Sequence, residues 1–118
     1  MIAGLKWAAS HLERLFYPPR CACCNRVVGH RQLLCEDCGN TLPRIAGSVC
    51  PVCGREEEFC GVRHAMECVR CIAPFYYVEP VRQGIHGLKF EGHRKSAAYF
   101  SMEMAETVRQ RLDGVCFD

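Results

Sequence analysis

The sequence predicts a small α+β fold whose middle segment is held together by cysteine clusters rather than by a large apolar core. Four Cys-x-x-Cys pairs follow one another along the chain: Cys21/Cys24, Cys35/Cys38, Cys50/Cys53 and Cys68/Cys71. The stretch that contains them is rich in Cys, Gly, Pro, Arg and Glu and has few large aliphatic residues. A segment of this length cannot bury enough apolar surface to fold without cross-links or bound metal.

The paired spacing of the cysteines favours metal binding over disulfides. The chain has 11 cysteines, an odd number that leaves one thiol over in any scheme of disulfides alone. Four thiolates complete a tetrahedral Zn²⁺ site, and two knuckles can supply them. We therefore expect two structural Zn²⁺ ions, whereas rubredoxin-like iron and redox-active cysteine pairs are weaker alternatives. The predicted ligands are Cys21, Cys24, Cys35, Cys38, Cys50, Cys53, Cys68 and Cys71.

Residues 1–19 form the first predicted domain, an amphipathic helix over residues 4–16 that ends before Pro18-Pro19. We expect its apolar face to pack on the rest of the fold, and a docking helix for a partner is the alternative. Charged residues interrupt any signal-peptide core. No run approaches the roughly 20 apolar residues of a membrane span. The chain is therefore expected to be cytoplasmic, where thiols stay reduced.

Residues 20–73 form the second predicted domain, two zinc ribbons in tandem that each consist of a knuckle, a β-hairpin and a second knuckle. The first hairpin is predicted at residues 27–34, followed by one helical turn within residues 36–42. In the second ribbon Pro51 presets the turn, and Gly54 allows a positive φ, so that backbone N–H groups can face the sulfur atoms.

The pairing of the four knuckles stays open at this point. Sequential pairing gives two ribbons, whereas pairing the first knuckle with the third and the second with the fourth gives a cross-brace. The short gaps inside each repeat favour the ribbons. Cys60 and His64 are alternative ligands of the second site, and Cys23 and Cys116 are expected to be unliganded thiols that behave as small buried hydrophobic residues.

Residues 74–118 form the third predicted domain, the truncated start of an α/β domain. We expect a strand at Phe75–Val78, two helices and the beginning of a buried strand at residues 115–117. The apolar periodicity places the two helices at residues 81–90 and 93–112. A single apolar strand at a terminus needs a partner strand, so the remainder of this domain is predicted to be missing.

The sequence has no constellation of catalytic residues and no glycine-rich phosphate loop, so we expect no enzyme activity of the chain alone. Its formal charge of +2 turns negative once eight thiolates bind two Zn²⁺ ions, so net charge does not favour nucleic-acid binding. Only local basic clusters could contact phosphates or single-stranded DNA, with neighbouring aromatic rings for stacking. The candidate contacts between the last two helices are Lys89, His93, Arg94 and Lys95.

Four segments carry a resemblance to a known family. They are Leu15-Phe16-Tyr17-Pro18-Pro19-Arg20-Cys21, then Leu34-Cys35-Glu36-Asp37-Cys38, then Cys50-Pro51-Val52-Cys53-Gly54, and last Gly84-Ile85-His86-Gly87-Leu88-Lys89-Phe90-Glu91-Gly92. In this order they resemble the N-terminal half of the ComF family, bacterial proteins linked to competence and DNA uptake. In that family a double zinc ribbon precedes a phosphoribosyltransferase-like domain, so the resemblance implies sequential pairing of the knuckles.

The resemblance also implies what the chain binds and what it lacks. The family's pyrophosphate-binding signature, two acidic residues before a Thr-Thr-Gly loop, has no match in this sequence. The expected function is therefore a non-catalytic interaction module in DNA uptake or processing, with single-stranded DNA and DNA-uptake machinery proteins as partners. An enzyme fragment completed in trans by a separate phosphoribosyltransferase half is one alternative, and a cross-brace adaptor for protein–protein binding is another.

Overall fold

The computed structural model describes residues 2–61 and 70–116, apart from the side chains of residues 2–5, 7, 10 and 14. Helices predominate in these ranges, and every helix expected from the sequence is present with small shifts at its ends. They are α1 (Ile2–Phe16), α2 (Glu36–Asn40), a 3₁₀ helix (Glu57–Phe59), α3 (Val81–Phe90) and α4 (Arg94–Arg111). None of these helices is long and apolar enough to cross a membrane.

The expected β-hairpins and strands are absent from the described part of the chain. Antiparallel pairing there is limited to isolated bridges, which join Arg20 to Val27, Arg44 to Phe75 and Val49 to Glu56. Each bridge around a knuckle spans only a tight turn, which leaves too few residues on either side for a ladder. The terminal strand is not seen at residues 115–116, and residue 117 lies outside the described ranges.

The core lies where the first cysteine knuckle meets the hairpin formed by α3 and α4. The Ser96 hydroxyl, which is 2% exposed, donates to the carbonyl of Ala22 at 2.6 Å. The Phe75 ring packs against the rings of Tyr99 and Phe100, with 6.4 Å between centroids in both pairs. The buried cluster consists of Cys21, Ala22, Cys23, Cys38, Phe75, Val81, Tyr99 and Phe100. Its few large apolar side chains agree with the need for bound metal.

The face that α4 buries differs from the apolar stripe in its sequence. The sequence pattern predicts a stripe of Ala97, Phe100, Met104, Val108 and Leu112. The helix instead buries Ser96, Tyr99, Phe100 and Thr107. Polar residues can occupy this face because the structure satisfies their hydrogen bonds, as for the hydroxyls of Ser96 and Thr107, which donate to backbone carbonyls.

Two residues of the stripe that stay exposed, Met104 and Val108, line an apolar groove between α3 and α4 with a volume of about 360 Å³. Met104 is 58% exposed and Val108 is 41% exposed along one wall. Val81, Ile85 and Leu88 of α3 line the groove with them. We call this surface the α3–α4 groove.

A polar contact fastens the segment before the second knuckle to α4. The Arg44 guanidinium donates to both carboxylate oxygens of Glu103 at 2.9 and 2.8 Å, and the Tyr99 hydroxyl donates to the same carboxylate at 2.9 Å. The hydrogen bonds from Arg44 lower the pKa of Glu103, which keeps the carboxylate ionised in this arrangement.

The molecule measures 64 × 30 × 25 Å, and helix α1 has little contact with the other helices. Leu12, Leu15 and Phe16 are 60%, 78% and 71% exposed. Among the described helices, α3 and α4 are the pair in contact. The expectation that α1 packs on the rest of the fold is therefore wrong for these three side chains, which are exposed.

We predict that Gly84→Ala destabilises the fold. A methyl group at this position would lie 2.7 Å from the Ala22 carbonyl oxygen and 3.0 Å from the Cα atom of Cys23. Because both are backbone atoms, side-chain rotation cannot relieve the clash, and we expect a loss of about 1–3 kcal/mol in the free energy of unfolding. Chemical denaturation measures it. The control is Gly39→Ala in α2, where no atom lies within 4 Å and alanine should be neutral or stabilising. Equal midpoints for the two variants would contradict the close approach.

Candidate metal centres

The first candidate metal centre combines four cysteines from the first two knuckles. The Sγ atoms of Cys21, Cys24, Cys35 and Cys38 all lie within 4.8 Å of one another. The sulfur atoms of Cys24 and Cys35 are 3.7 Å apart. A tetrahedral zinc ion with bonds of 2.3 Å places its sulfur ligands about 3.8 Å apart. The four residues therefore fit one zinc ion, and they do so by sequential pairing of the first knuckle with the second.

The first knuckle of each centre has the same backbone hydrogen bonds. The N–H of Cys21 donates to the carbonyl of Arg26 at 2.7 Å, and the N–H of Asn25 donates to the carbonyl of Cys21 at 3.0 Å. The equivalent bonds of the second centre run from Cys50 to the carbonyl of Arg55 at 2.8 Å and from Gly54 to the carbonyl of Cys50 at 2.9 Å. This agreement supports the internal repeat read from the sequence.

The residue after the second cysteine of each of these knuckles has a positive φ. Gly54 has φ of 73°, as its position in the turn predicts, and a side chain there would overlap the carbonyl of Cys71. Asn25 takes the same conformation in the first knuckle with φ of 62°. The sequence reasoning missed Asn25, although asparagine tolerates this region better than most residues do.

The second candidate metal centre consists of Cys50, Cys53 and Cys60, whose Sγ atoms lie within 4.8 Å of one another. The sulfur atoms of Cys53 and Cys60 are 3.8 Å apart, again the spacing of ligands around zinc. The sequence analysis predicted Cys60 only as an alternative ligand of this site. The 3₁₀ helix Glu57–Phe59 leads directly into this residue and returns it toward the knuckle.

The fourth predicted knuckle has a different outcome. Cys71 does not belong to this sulfur cluster, although its backbone N–H donates to the carbonyl of Val52 at 2.9 Å and so lies beside the knuckle. Cys68 and the alternative ligand His64 lie outside the described residues. The described part of the second centre thus contributes three thiol ligands.

The clustered thiols need a bound cation if all of them are to ionise to thiolates. Backbone N–H groups of Cys53 and Val52 lower the pKa of Cys50 to about 6. Burial opposes ionisation of Cys21, but backbone N–H groups outweigh it and lower the pKa of this thiol to about 7. Burial and neighbouring sulfur atoms raise the pKa of Cys38. Since thiolates are the metal ligands, a divalent cation is what allows the neighbouring sulfur atoms to carry charge together.

Besides Cys71, the described cysteines outside the clusters are Cys23 and Cys116, both of which were expected to be unliganded. Cys23 is 2% exposed, and burial raises its pKa to about 12, so it stays a neutral thiol in the core. Cys116 is exposed. The expectation of a small buried hydrophobic residue therefore holds for Cys23 and is wrong for Cys116.

The predicted phosphate contacts separate into two groups. Arg94 and Lys95 line a cleft of about 600 Å³ with Arg20, Phe16 and Tyr17, which we call the basic cleft. His93 borders the same cleft. Lys89 is exposed on α3 and lies outside it.

Fold and clusters together define a small zinc-ribbon-like protein with two cysteine centres and flanking helices. Residues 12–72 match the family model described as double zinc ribbon domain. This match covers just over half of the 118 residues, so the chain belongs to the double zinc ribbon family. No curated protein and no solved structure matches the chain. The two clusters fit the two zinc ions of such a domain.

We predict that the purified protein contains two zinc ions per chain and that Cys60→Ser lowers the content to one, because the second centre loses a thiolate. A colorimetric zinc assay after protein denaturation measures this. Cys116→Ser is the control and should keep both ions. A full zinc content in Cys60→Ser would show that this residue is not a ligand.

Chelation of both ions should abolish the cooperative thermal transition, since structural zinc contributes on the order of 10–16 kcal/mol to folding.

Proposed function

We propose that this chain is the double zinc ribbon interaction module of a ComF-type protein that acts in DNA uptake or processing and is not catalytic by itself. Four thiolates at the first centre leave no coordination position for water or substrate, which is typical of structural zinc. The order of the cysteine knuckles and the Gly84–Gly92 segment supports the relation to ComF proteins. On this proposal the zinc ions hold a platform whose surfaces make the functional contacts.

One observation carries the proposal of DNA contact, namely the joint placement of cations and aromatic rings at the basic cleft. Among the described residues, no carboxylate pairs with Arg94 or Lys95. Phe16 and Tyr17 are 71% and 80% exposed beside them. A positive groove with open aromatic faces suits single-stranded DNA, because phosphates meet the cations while bases stack on the rings.

The position of Arg94 and Lys95 adds a second physical reason. Both lie in the first turn of α4, where the N-terminal N–H groups carry partial positive charge, and that turn has no acidic residue. Cations at this end of a helix are unfavourable unless an anion lies nearby. A DNA phosphate would supply that anion.

We predict that the zinc-loaded protein binds a fluorescein-labelled oligothymidine and that Arg94→Ala/Lys95→Ala weakens this binding. For single strands each lost phosphate contact should reduce the slope of log K against log salt by about 0.7. Fluorescence anisotropy across a salt series measures both quantities. Tyr17→Ala should weaken binding with an unchanged slope, since stacking is not ionic.

The matched control is Arg82→Ala/Arg109→Ala, which removes two exposed arginines that already pair with Glu79 and Glu106. It should leave affinity and slope close to those of the wild type. Equal losses of affinity in both double variants would show that net charge alone governs binding. Unchanged affinity in both would refute a DNA site at the basic cleft.

The α3–α4 groove favours a second candidate function, an enzyme fragment that is completed by a separate phosphoribosyltransferase-like polypeptide. Its lining is almost entirely apolar and is open to solvent. Contiguous apolar surface of this kind is typical of a contact with another protein domain.

We predict that Met104→Glu, in the wall of the groove, prevents association with such a polypeptide, because a charge would be buried there. Met102→Glu is the matched control, since both methionines are 58% exposed and Met102 does not line the groove. Co-purification after co-expression measures the complex. Association that survives Met104→Glu would count against this candidate.

A further inference from the structure

A third group of potential metal ligands lies outside both cysteine centres, at the corner between α3 and α4. Glu91 follows α3, His93 precedes α4, and His86 lies on α3. The Glu91 carboxylate faces both imidazoles. Its Oε1 is 3.8 Å from Nδ1 of His86, and its Oε2 is 3.4 Å from Nε2 of His93.

Contacts within the corner hold both imidazoles near this carboxylate. The backbone N–H of His93 donates to the carbonyl of Gly87 at 3.1 Å, and its ring packs so closely over Gly87 that a side chain there would collide with it. The His86 ring packs against Phe90 with 4.8 Å between centroids. His93 and Glu91 thus lie close together before any ion binds, whereas the donor atoms of all three residues do not lie within 4.8 Å of one another, so His86 has to rotate toward the ion.

The distances from the Glu91 carboxylate to the two imidazoles suit joint coordination of one ion better than direct ion pairs. Charged hydrogen bonds are about 2.7–2.9 Å long, shorter than either separation. Nitrogen and oxygen ligands at 2.0–2.1 Å from a tetrahedral ion lie about 3.4 Å apart, which matches His93 and Glu91. His86 has to move closer, which rotation of its side chain allows because that side chain is 60% exposed.

The surrounding cleft can accept a cation. It has a volume of about 700 Å³ and a mostly polar lining. Arg82, the arginine among the described residues of its lining, pairs with Glu79 at 2.7 Å, so its charge is compensated. Asn25 lies on the opposite side, with Nδ2 at 3.3 Å from Nε2 of His93. Rotation of this amide by half a turn would present its oxygen as a further ligand.

We propose that His86, Glu91 and His93 bind a third divalent transition-metal ion of the zinc, nickel or cobalt type, with the amide oxygen of Asn25 or water completing the coordination. Imidazole and carboxylate ligands suit these ions. The site differs from the cysteine centres because it contains no thiolate and keeps a position for an exchangeable ligand. An ion here links the α3–α4 corner to the first cysteine knuckle through Asn25.

The test is a titration of Zn²⁺ into protein that already holds its two cysteine-bound zinc ions. Isothermal titration calorimetry measures the binding. We expect one further ion with micromolar affinity. Glu91→Gln, which keeps the size of the side chain, and His86→Ala should each weaken this binding at least tenfold while the two tightly held ions remain. His30→Ala, an exposed histidine outside the cleft, should bind the third ion like the wild type.

Cobalt identifies where the third ion sits. Co²⁺ added to the zinc-loaded protein should give visible absorption without the intense ultraviolet thiolate-to-cobalt band that a cysteine site produces. Thermal melts without added metal should show that both variants stay folded. The proposal is overturned if no third ion binds at millimolar zinc, if the cobalt spectrum shows thiolate ligation, or if Glu91→Gln and His86→Ala bind it as tightly as His30→Ala.

Discussion

The first four-cysteine centre is the constraint on which the rest of the structure depends. Its knuckle supplies two metal ligands and at the same time the floor of the core, since Ala22 and Cys23 are buried against α3 and α4. A zinc ion that holds this knuckle therefore also holds the surface on which the helical hairpin packs. Gly84 allows the close approach, and Ser96 satisfies the carbonyl that the approach buries.

Because metal binding stabilises the fold, the surface of the protein has little need to be covered. Leu12, Leu15 and Phe16 of α1 are exposed, and the basic cleft and the α3–α4 groove are also open to solvent. These surfaces surround centres whose own ligands are thiolates held at structural spacing.

Much of the helical structure was predictable, whereas the absence of β-strands from the described residues and the ligand Cys60 were not. The apolar period near 3.6 residues identified α3 and α4, and the paired spacing identified the ligands that form the first centre. The apolar runs at residues 27–34 and 75–78 suggested strands, but each run takes part in a single isolated bridge in the described structure, from Val27 to Arg20 and from Phe75 to Arg44. Cys60 carried too weak a signal, because spacing alone favours complete Cys-x-x-Cys pairs over a single cysteine beyond a loop.

The sequence by itself determined the means of stabilisation, because residue type and spacing decide which ions a cysteine knuckle can bind. It also determined where helices form, since their apolar period is local. Only the tertiary structure decided which face of α4 is buried, which knuckles share an ion, and which charged side chains meet at the basic cleft and around Glu91. These features join residues that are distant in the chain, such as Asn25 and His93, and no local pattern encodes such a contact.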